Sequence, residues 1–346
     1  MHPNPMVGCV LTLDDAVVGE GHHAAFGGPH AEIVALEAAH GATGGATAYV
    51  SLEPCNHQGK TPPCVRALID AGIRRVVYGA PDPGAESGGG ADALRAAGVE
   101  VLGPVWSSEA ARAENPAFFH RAYHRTPFVA LKLAMSMDAR IAAMPGRRTR
   151  LTGPEAEREV HRLRTGFDAI LIGAATARAD DPRLTVRLVP PGRVPPRRVV
   201  LAPNADIATD AALFSDASSA PVHVFCALDA PEQAVERLET AGAHVHPVSG
   251  AGAPGRLSVD AILETCAEIG IDSILCEGGG TLAGSLLAER QVHRFWLFIA
   301  PTTLGERGVP AFPPDAERLD WSDFRQVAGP ESFGPDTLIV LDRQEG

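Results

Sequence analysis

No stretch of this chain approaches the roughly 18 to 20 uninterrupted apolar residues of a membrane span. Its opening, Met1-His2-Pro3-Asn4-Pro5, has no charged-then-apolar layout of a signal peptide. A cytoplasmic protein without a membrane partner is therefore expected. Basic residues are also short: 30 Lys and Arg face 42 Asp and Glu, a formal net charge of -12. That balance argues against nucleic acid as a partner, because such binders need a basic face to displace counterions from phosphates. Local basic clusters can still hold a small phosphate. Nor is there a disulfide framework, since six cysteines in 346 residues without a secretion signal read as core, metal ligands or nucleophiles.

What remains is 45% hydrophobic and 21% charged, enough to give two domains a core each. Short apolar runs alternate with helical patterns, which predicts layered α/β folds. The first block has strands at Val7 to Leu13, Ala48 to Leu52 and Arg75 to Tyr78, with helices from His30 and Pro63. A polar stretch, His120 to Pro127, separates a domain at 1–123 from one at 126–346. The second block predicts strands at Phe128 to Leu133, Ala169 to Ile172, Arg198 to Leu201, Val222 to Cys226, Ser273 to Cys276, Arg294 to Ile299 and Thr337 to Leu341. Its helices are predicted at Pro154 to Arg164, from Pro231, at Val259 to Ile269 and at Thr281 to Glu289. Pro81 to Gly90 and Pro190 to Pro196 read as surface loops.

His30-Ala31-Glu32 opens a helix, Cys55 follows a strand, and Cys64 begins another helix after two prolines. One imidazole and two thiolates leave a fourth zinc position free, the layout of a catalytic site. The helix dipole should favour the Cys64 thiolate. Glu32, two residues from the ligand His30, is then the proton carrier of a zinc deaminase.

The second cysteine departs from the Pro-Cys-x-x-Cys ending of nucleobase deaminases. Glu53-Pro54-Cys55-Asn56-His57-Gln58-Gly59-Lys60-Thr61-Pro62-Pro63-Cys64 resembles the riboflavin-pathway diaminohydroxyphosphoribosylaminopyrimidine deaminases. So do Pro3-Asn4-Pro5, Gly19-Glu20-Gly21-His22-His23 and Pro29-His30-Ala31-Glu32. The resemblance implies a cytidine-deaminase-like three-layer α/β/α domain whose pocket is lined by Asn4, His23, His57, Lys60 and Thr61. His57 could also be mistaken for a zinc ligand, but three already suffice.

Residues 128 to 341 resemble the reductase half of the same bifunctional family, similar in fold to dihydrofolate reductase. The match rests on Leu131 to Asp138, Ile172 to Arg187 and Cys276-Glu277-Gly278-Gly279-Gly280-Thr281-Leu282. Gly278-x-Gly280-x-x-Ala283 imitates a dinucleotide fingerprint, but the next strand ends without an acid, so a Rossmann site is not expected. The glycines should let backbone N–H groups and a helix start meet a diphosphate. The resemblance implies NADPH at Ala134, Thr176, Asp180, Gly279, Gly280, Thr281, Leu282, Ala283, Gly284 and Ser285. It implies substrate at Ser136, Arg164, Leu184, Arg187 and Glu277, with both arginines suited to bidentate phosphate recognition. Lys132, Asp138 and Glu277 are candidates for a proton transfer among which the sequence does not choose.

The expected chemistry is hydrolytic removal of an amino group from a small phosphorylated pyrimidine, using Zn2+, then NADPH reduction of its ribosyl to ribityl. A homo-oligomer through the reductase domain is expected from the family. The rivals are a nucleoside or nucleic-acid deaminase with an unrelated second domain, and a zinc-stabilised binding protein. Family members usually carry a helix before the Pro-Asn-Pro segment, on which this sequence almost begins: either the start is misassigned or trimmed, or the helix is absent. Its loss would expose an apolar face of the deaminase sheet and leave the deaminase weakened or dependent on a partner surface. Ala139 stands where the family tends to have Gly, and Arg150 where Trp is common.

Overall fold

The computed structural model describes residues 5–24, 27–57, 62–84, 87–192, 194–250, 255–312 and 321–344. Backbone contacts divide it into two compact units, Met1–His124 and Arg125–Gly346. Among the described residues, no helix is long and apolar enough to cross a membrane.

The first unit runs β1 (Gly8–Leu13), β2 (Ala16–His22), α1 (Ala31–Ala38), β3 (Thr47–Leu52), α2 (Cys64–Asp70) and β4 (Arg75–Ala80). It continues with α3 (Gly90–Ala96), β5 (Glu100–Leu102), α4 (Ser108–Glu114) and α5 (Pro116–Tyr123). Its strands lie in the order β2-β1-β3-β4-β5. β1 is antiparallel to both neighbours, while β3, β4 and β5 are parallel. Alternate side chains of a strand face opposite sides. Cys9, Leu11, Ala48, Val50 and Val76 thus share a core with Ala31 and Ala35 of α1, Leu68 of α2 and Leu94 of α3. Ala111 and Phe119 of α4 and α5 pack on Leu52 and Ala80, and Trp106 lies against Gly79.

The second unit begins β6 (Phe128–Ser136), β7 (Arg140–Ala142), α6 (Pro154–Arg164), β8 (Ala169–Gly173), α7 (Ala174–Asp180), β9 (Arg197–Leu201) and β10 (Val222–Ala227). There follow α8 (Glu232–Thr240), β11 (Ala243–Val248), α9 (Val259–Glu268), β12 (Ser273–Cys276), α10 (Gly280–Ala288) and β13 (Arg294–Ala300). It ends with β14 (Val309–Pro310), β15 (Phe324–Gln326), β16 (Glu331–Phe333) and β17 (Asp336–Arg343). The main sheet has the order β11-β10-β9-β8-β12-β6-β13-β17-β15. From β11 to β13 every pairing is parallel, and β17 joins antiparallel. β12 is buried along its whole length, as a strand covered on both faces must be. One face carries α9 and α10 on Val129, Leu131 and Leu171; the other carries α7 and α8 on Ile170, Ile172 and Val224.

The chain steps outward from β8 through β9 and β10 to β11, then returns to insert β12 between β8 and β6. That reversal opens a crevice at the carboxyl ends of these strands, the place where open parallel sheets bind ligands. All six cysteines are unpaired and buried. Burial pushes Cys266 and Cys276 up to about 12, so they behave as core residues.

Candidate active sites

In the first unit the site is assembled at the start of α1. A Cβ on Gly21 would lie 2.3 Å from the Ala31 carbonyl oxygen, and one on Gly19 2.3 Å from that of Ala35. Only glycine at both positions lets α1 lie directly on β2. His30 is the residue before that helix, and Glu32 lies in its first turn. The Nδ1 atom of His30 stands 3.1 Å from Cys64 Sγ and 3.4 Å from Cys55 Sγ. The three donor atoms all lie within 4.8 Å of one another, and two thiolates with one imidazole suit zinc.

Cys64 is the first residue of α2, as its prolines suggested, but the favoured thiolate is Cys55. A hydrogen bond from the Cys64 thiol is the largest cause, and Cys55 falls to about 4 while Cys64 is raised. The Cys64 backbone N–H also points at Cys55 Sγ, 3.4 Å away. The helix start therefore serves the neighbouring sulfur, and a cation would displace the shared proton to give two thiolates. Glu32 is 3% exposed, and burial raises its carboxyl above the usual range, in keeping with a group that carries a proton.

The loop bearing Cys55 is held from behind. Glu53 is buried, and its carboxylate accepts the N–H groups of Ala91 at 2.9 Å and Asp82 at 3.2 Å. The Asn56 N–H donates to Ser87 at 3.1 Å, and a Cβ on Gly90 would fall 1.8 Å from the Pro54 oxygen. The stretch expected to be a plain surface loop at Pro81 to Gly90 is thus tied to the ligand loop, and its last residue opens α3. Of the expected pocket residues, His23 is buried edge-on to His30, with Nδ1 3.0 Å from the Pro29 oxygen. His57 has a buried Nδ1 without a hydrogen-bond partner among the described residues. Asn4, Lys60 and Thr61 lie outside the described residues.

In the second unit the crevice widens to a cleft of about 1010 Å³. Lys132, Ala134, Arg164, Thr176, Asp180, Leu184, Arg187, Glu277, Gly279, Gly280, Thr281, Leu282 and Ser285 line it. Ala283 and Gly284 are buried, Ala283 within the core, on the side of α10 turned from the cleft. Ser136 is also elsewhere: its hydroxyl donates to Asp138 at 2.5 Å and accepts the Arg140 N–H at 3.0 Å.

The glycines of the turn before α10 have separate tasks. A Cβ on Gly278 would meet Gly173 N at 3.0 Å, and one on Gly280 the Ala311 oxygen at 2.8 Å, so both permit packing. The Gly279 N–H donates to Thr176 Oγ1 at 3.0 Å, which fixes the turn against α7. What faces the cleft is the start of α10, a helix end that favours anions.

Arg164 does not offer its fork to a phosphate. Its Nε and a terminal nitrogen donate to the two Glu277 oxygens at 2.6 and 2.8 Å, and the other terminal nitrogen donates to the Thr185 oxygen at 2.8 Å. Burial pushes Glu277 up, and the charge and hydrogen bonds of Arg164 reverse this, leaving the carboxyl below its usual range. Asp138 caps the Leu304 and Gly305 N–H groups and, through Ser136 first, is held to about 2. It is absent from the cleft lining. Lys132 lines the cleft, lowered by burial, with Nζ 5.7 Å above the Phe298 ring.

Sequence reasoning missed His161, one turn before Arg164 on α6. It is buried, its Nδ1 accepts the Arg187 N–H at 3.0 Å, and burial lowers it to about 4. The i, i+3 spacing from Arg164 was the available signal. Arg150 reaches Glu157 at the cleft rim. Ala139 has φ +57, which explains a preference for Gly there.

Two family models match this chain: the RibD C-terminal domain over residues 127–331, and the cytidine and deoxycytidylate deaminase zinc-binding region over residues 1–80. The riboflavin biosynthesis protein RibD of Escherichia coli is 36% identical over 98% of this chain and 94% of its own length. That of Aquifex aeolicus is 37% identical over 99% and 93%. Among solved structures, Acinetobacter baumannii RibD superposes with a TM-score of 0.84 at 31% identity, covering 100% of this chain and 94% of that one. A Thermotoga maritima deaminase/reductase superposes at 0.81 with 32% identity, covering 99% and 93%.

Proposed function

This chain belongs to the RibD family of riboflavin-biosynthesis proteins, zinc deaminase and NADPH-dependent reductase in one polypeptide, and from that premise we propose which residues carry each step. The first unit deaminates 2,5-diamino-6-(5-phosphoribosylamino)pyrimidin-4(3H)-one. Zinc, held by His30, Cys55 and Cys64, would supply Lewis acidity to the water that replaces the amino group. Glu32 takes a first proton from that water and delivers it to the ring nitrogen, then carries the second, from the resulting hydroxyl, to the amino group, which leaves as ammonia. Glu53 holds the Cys55 loop in register, and His23 and His57, with Asn4, Lys60 and Thr61, bind the substrate.

In the second unit the ribose opens to an imine-like form and accepts a hydride at C1′, which NADPH supplies when bound. Ala134, Thr176, Asp180, Gly279, Gly280, Thr281, Leu282 and Ser285 bind the cofactor, with the start of α10 facing its diphosphate and Ala283 and Gly284 packing that helix behind them. Arg187 meets the substrate phosphate, held through His161, while Leu184 and the Arg164–Glu277 pair shape the ribose site; Ser136 supports the turn beneath it. Lys132 moves the proton, since Asp138 is spent on backbone N–H groups and Glu277 on Arg164. Family membership also supports a cytoplasmic homo-oligomer joined through the second unit, which sedimentation of the purified protein tests.

The observation that carries the proposal is the convergence of His30, Cys55 and Cys64 beside the buried carboxyl of Glu32. The deciding assay gives purified, zinc-analysed protein the phosphoribosyl pyrimidine and follows ammonia and NADPH. Both are expected to change with the substrate; release of ammonia from cytidine or single-stranded DNA instead would refute it.

A further inference from the structure

The cations lining the second unit's cleft differ in their surroundings. Arg187 is lowered by burial and then by the charges of Arg164, Arg183 and Arg148, all of which line the same cleft. That group suits the substrate phosphate. Arg256 comes from another part of the chain, the segment that leads into α9. It is exposed, lines the cleft ahead of α9, and donates to Ser285 Oγ at 2.7 Å. Arg178, also in the lining, is occupied by Asp206 at 2.7 Å.

Ser285 lies on α10 five residues beyond Gly280, about 7 Å along the helix axis. With the diphosphate at the start of that helix, an anion one ribose further along meets a hydroxyl donor and a guanidinium already bonded to it. The Ser285 bond pre-orients a long flexible side chain, which reduces the ordering cost when the anion arrives. We propose that Arg256 and Ser285 bind the 2′-phosphate of the nicotinamide dinucleotide and so make the reductase prefer NADPH to NADH. The assignment rests on α10 as the diphosphate site.

The test needs neither nicotinamide nor pyrimidine: calorimetric titration of the full-length protein with adenosine 2′,5′-bisphosphate and, separately, adenosine 5′-monophosphate. Arg256→Ala is expected to weaken the bisphosphate about ten- to a hundredfold while the monophosphate stays within about twofold. Titration with NADPH and NADH should show the same selective loss. Ser285→Ala should lose the bisphosphate severalfold and keep the monophosphate, which holds the test open if the arginine variant does not fold. Unchanged bisphosphate affinity in Arg256→Ala, or an equal loss for both nucleotides, overturns the assignment. Full NADPH affinity in Gly279→Val overturns the diphosphate site itself, and that result is read independently of Arg256.

Discussion

Single atoms decide much of the chemistry in the first unit. Replacing the Glu32 carboxyl by an amide preserves its shape and removes its proton, so Glu32→Gln should keep zinc and lose about 10²- to 10⁴-fold in ammonia release. Metal analysis beside a kinetic assay checks both halves, and near wild-type turnover at full zinc would remove Glu32 from its role. Cys55→Ser and Cys64→Ser should lose zinc instead, because a neutral hydroxyl is a poor ligand; stoichiometric metal in both would refute the ligand set. Ala139 gives a prediction of the opposite sign. Its left-handed backbone, φ +57, strains any side chain, so Ala139→Gly should stabilise the protein by about 1 kcal/mol, despite the entropy that glycine returns to the unfolded chain. A lower unfolding midpoint in that variant would show that the turn is not strained.

Elements are where sequence and structure part. The helix Pro154–Arg164 and the strand Ser273–Cys276 could be read to the residue, because amphipathic period and full burial leave unambiguous patterns. β2 could not, since Gly19 and Gly21 erase the apolar alternation of a strand for the sake of α1. α3 was hidden because it opens on the glycine run before Ala91, and α7 because Ala174–Asp180 is alanine-rich without a stripe. The cluster of His30, Cys55 and Cys64 was legible as spacing, whereas Glu53, His161 and Arg256 bond to partners distant in the chain. The glycines that obscured these elements are testable. Gly90→Ala would drive a methyl into the Pro54 carbonyl and should cost about 1 to 3 kcal/mol, lowering zinc retention while NADPH affinity holds. Equal zinc off-rates in mutant and wild type would show that α3 does not hold the ligand loop.

At the scale of the whole molecule, acid should act through buried imidazoles. His161 and His223 are each lowered by burial to about 4, and His223 also feels His246, His244 and Arg197. Both stay neutral in the folded chain while the unfolded chain takes protons below about 6.5. Stability is therefore full above that pH and falls on acidification towards 4, each group costing up to about 1.4 kcal/mol per pH unit. His223→Gln should flatten the slope of denaturant midpoint against pH in that window, and an unaltered slope would assign the acid sensitivity elsewhere. The division of the backbone at His124 and Arg125 has a further consequence, in the genetics of the locus. Lesions such as Glu32→Gln and Gly279→Val fall on opposite sides of it, so each defective allele should still make one working half. A riboflavin auxotroph carrying both alleles on separate plasmids should grow without the vitamin, fed by intermediate that one polypeptide releases and the other takes up. Neither allele alone should rescue it, and failure of the pair despite normal expression would mean that the intermediate never leaves the chain that made it.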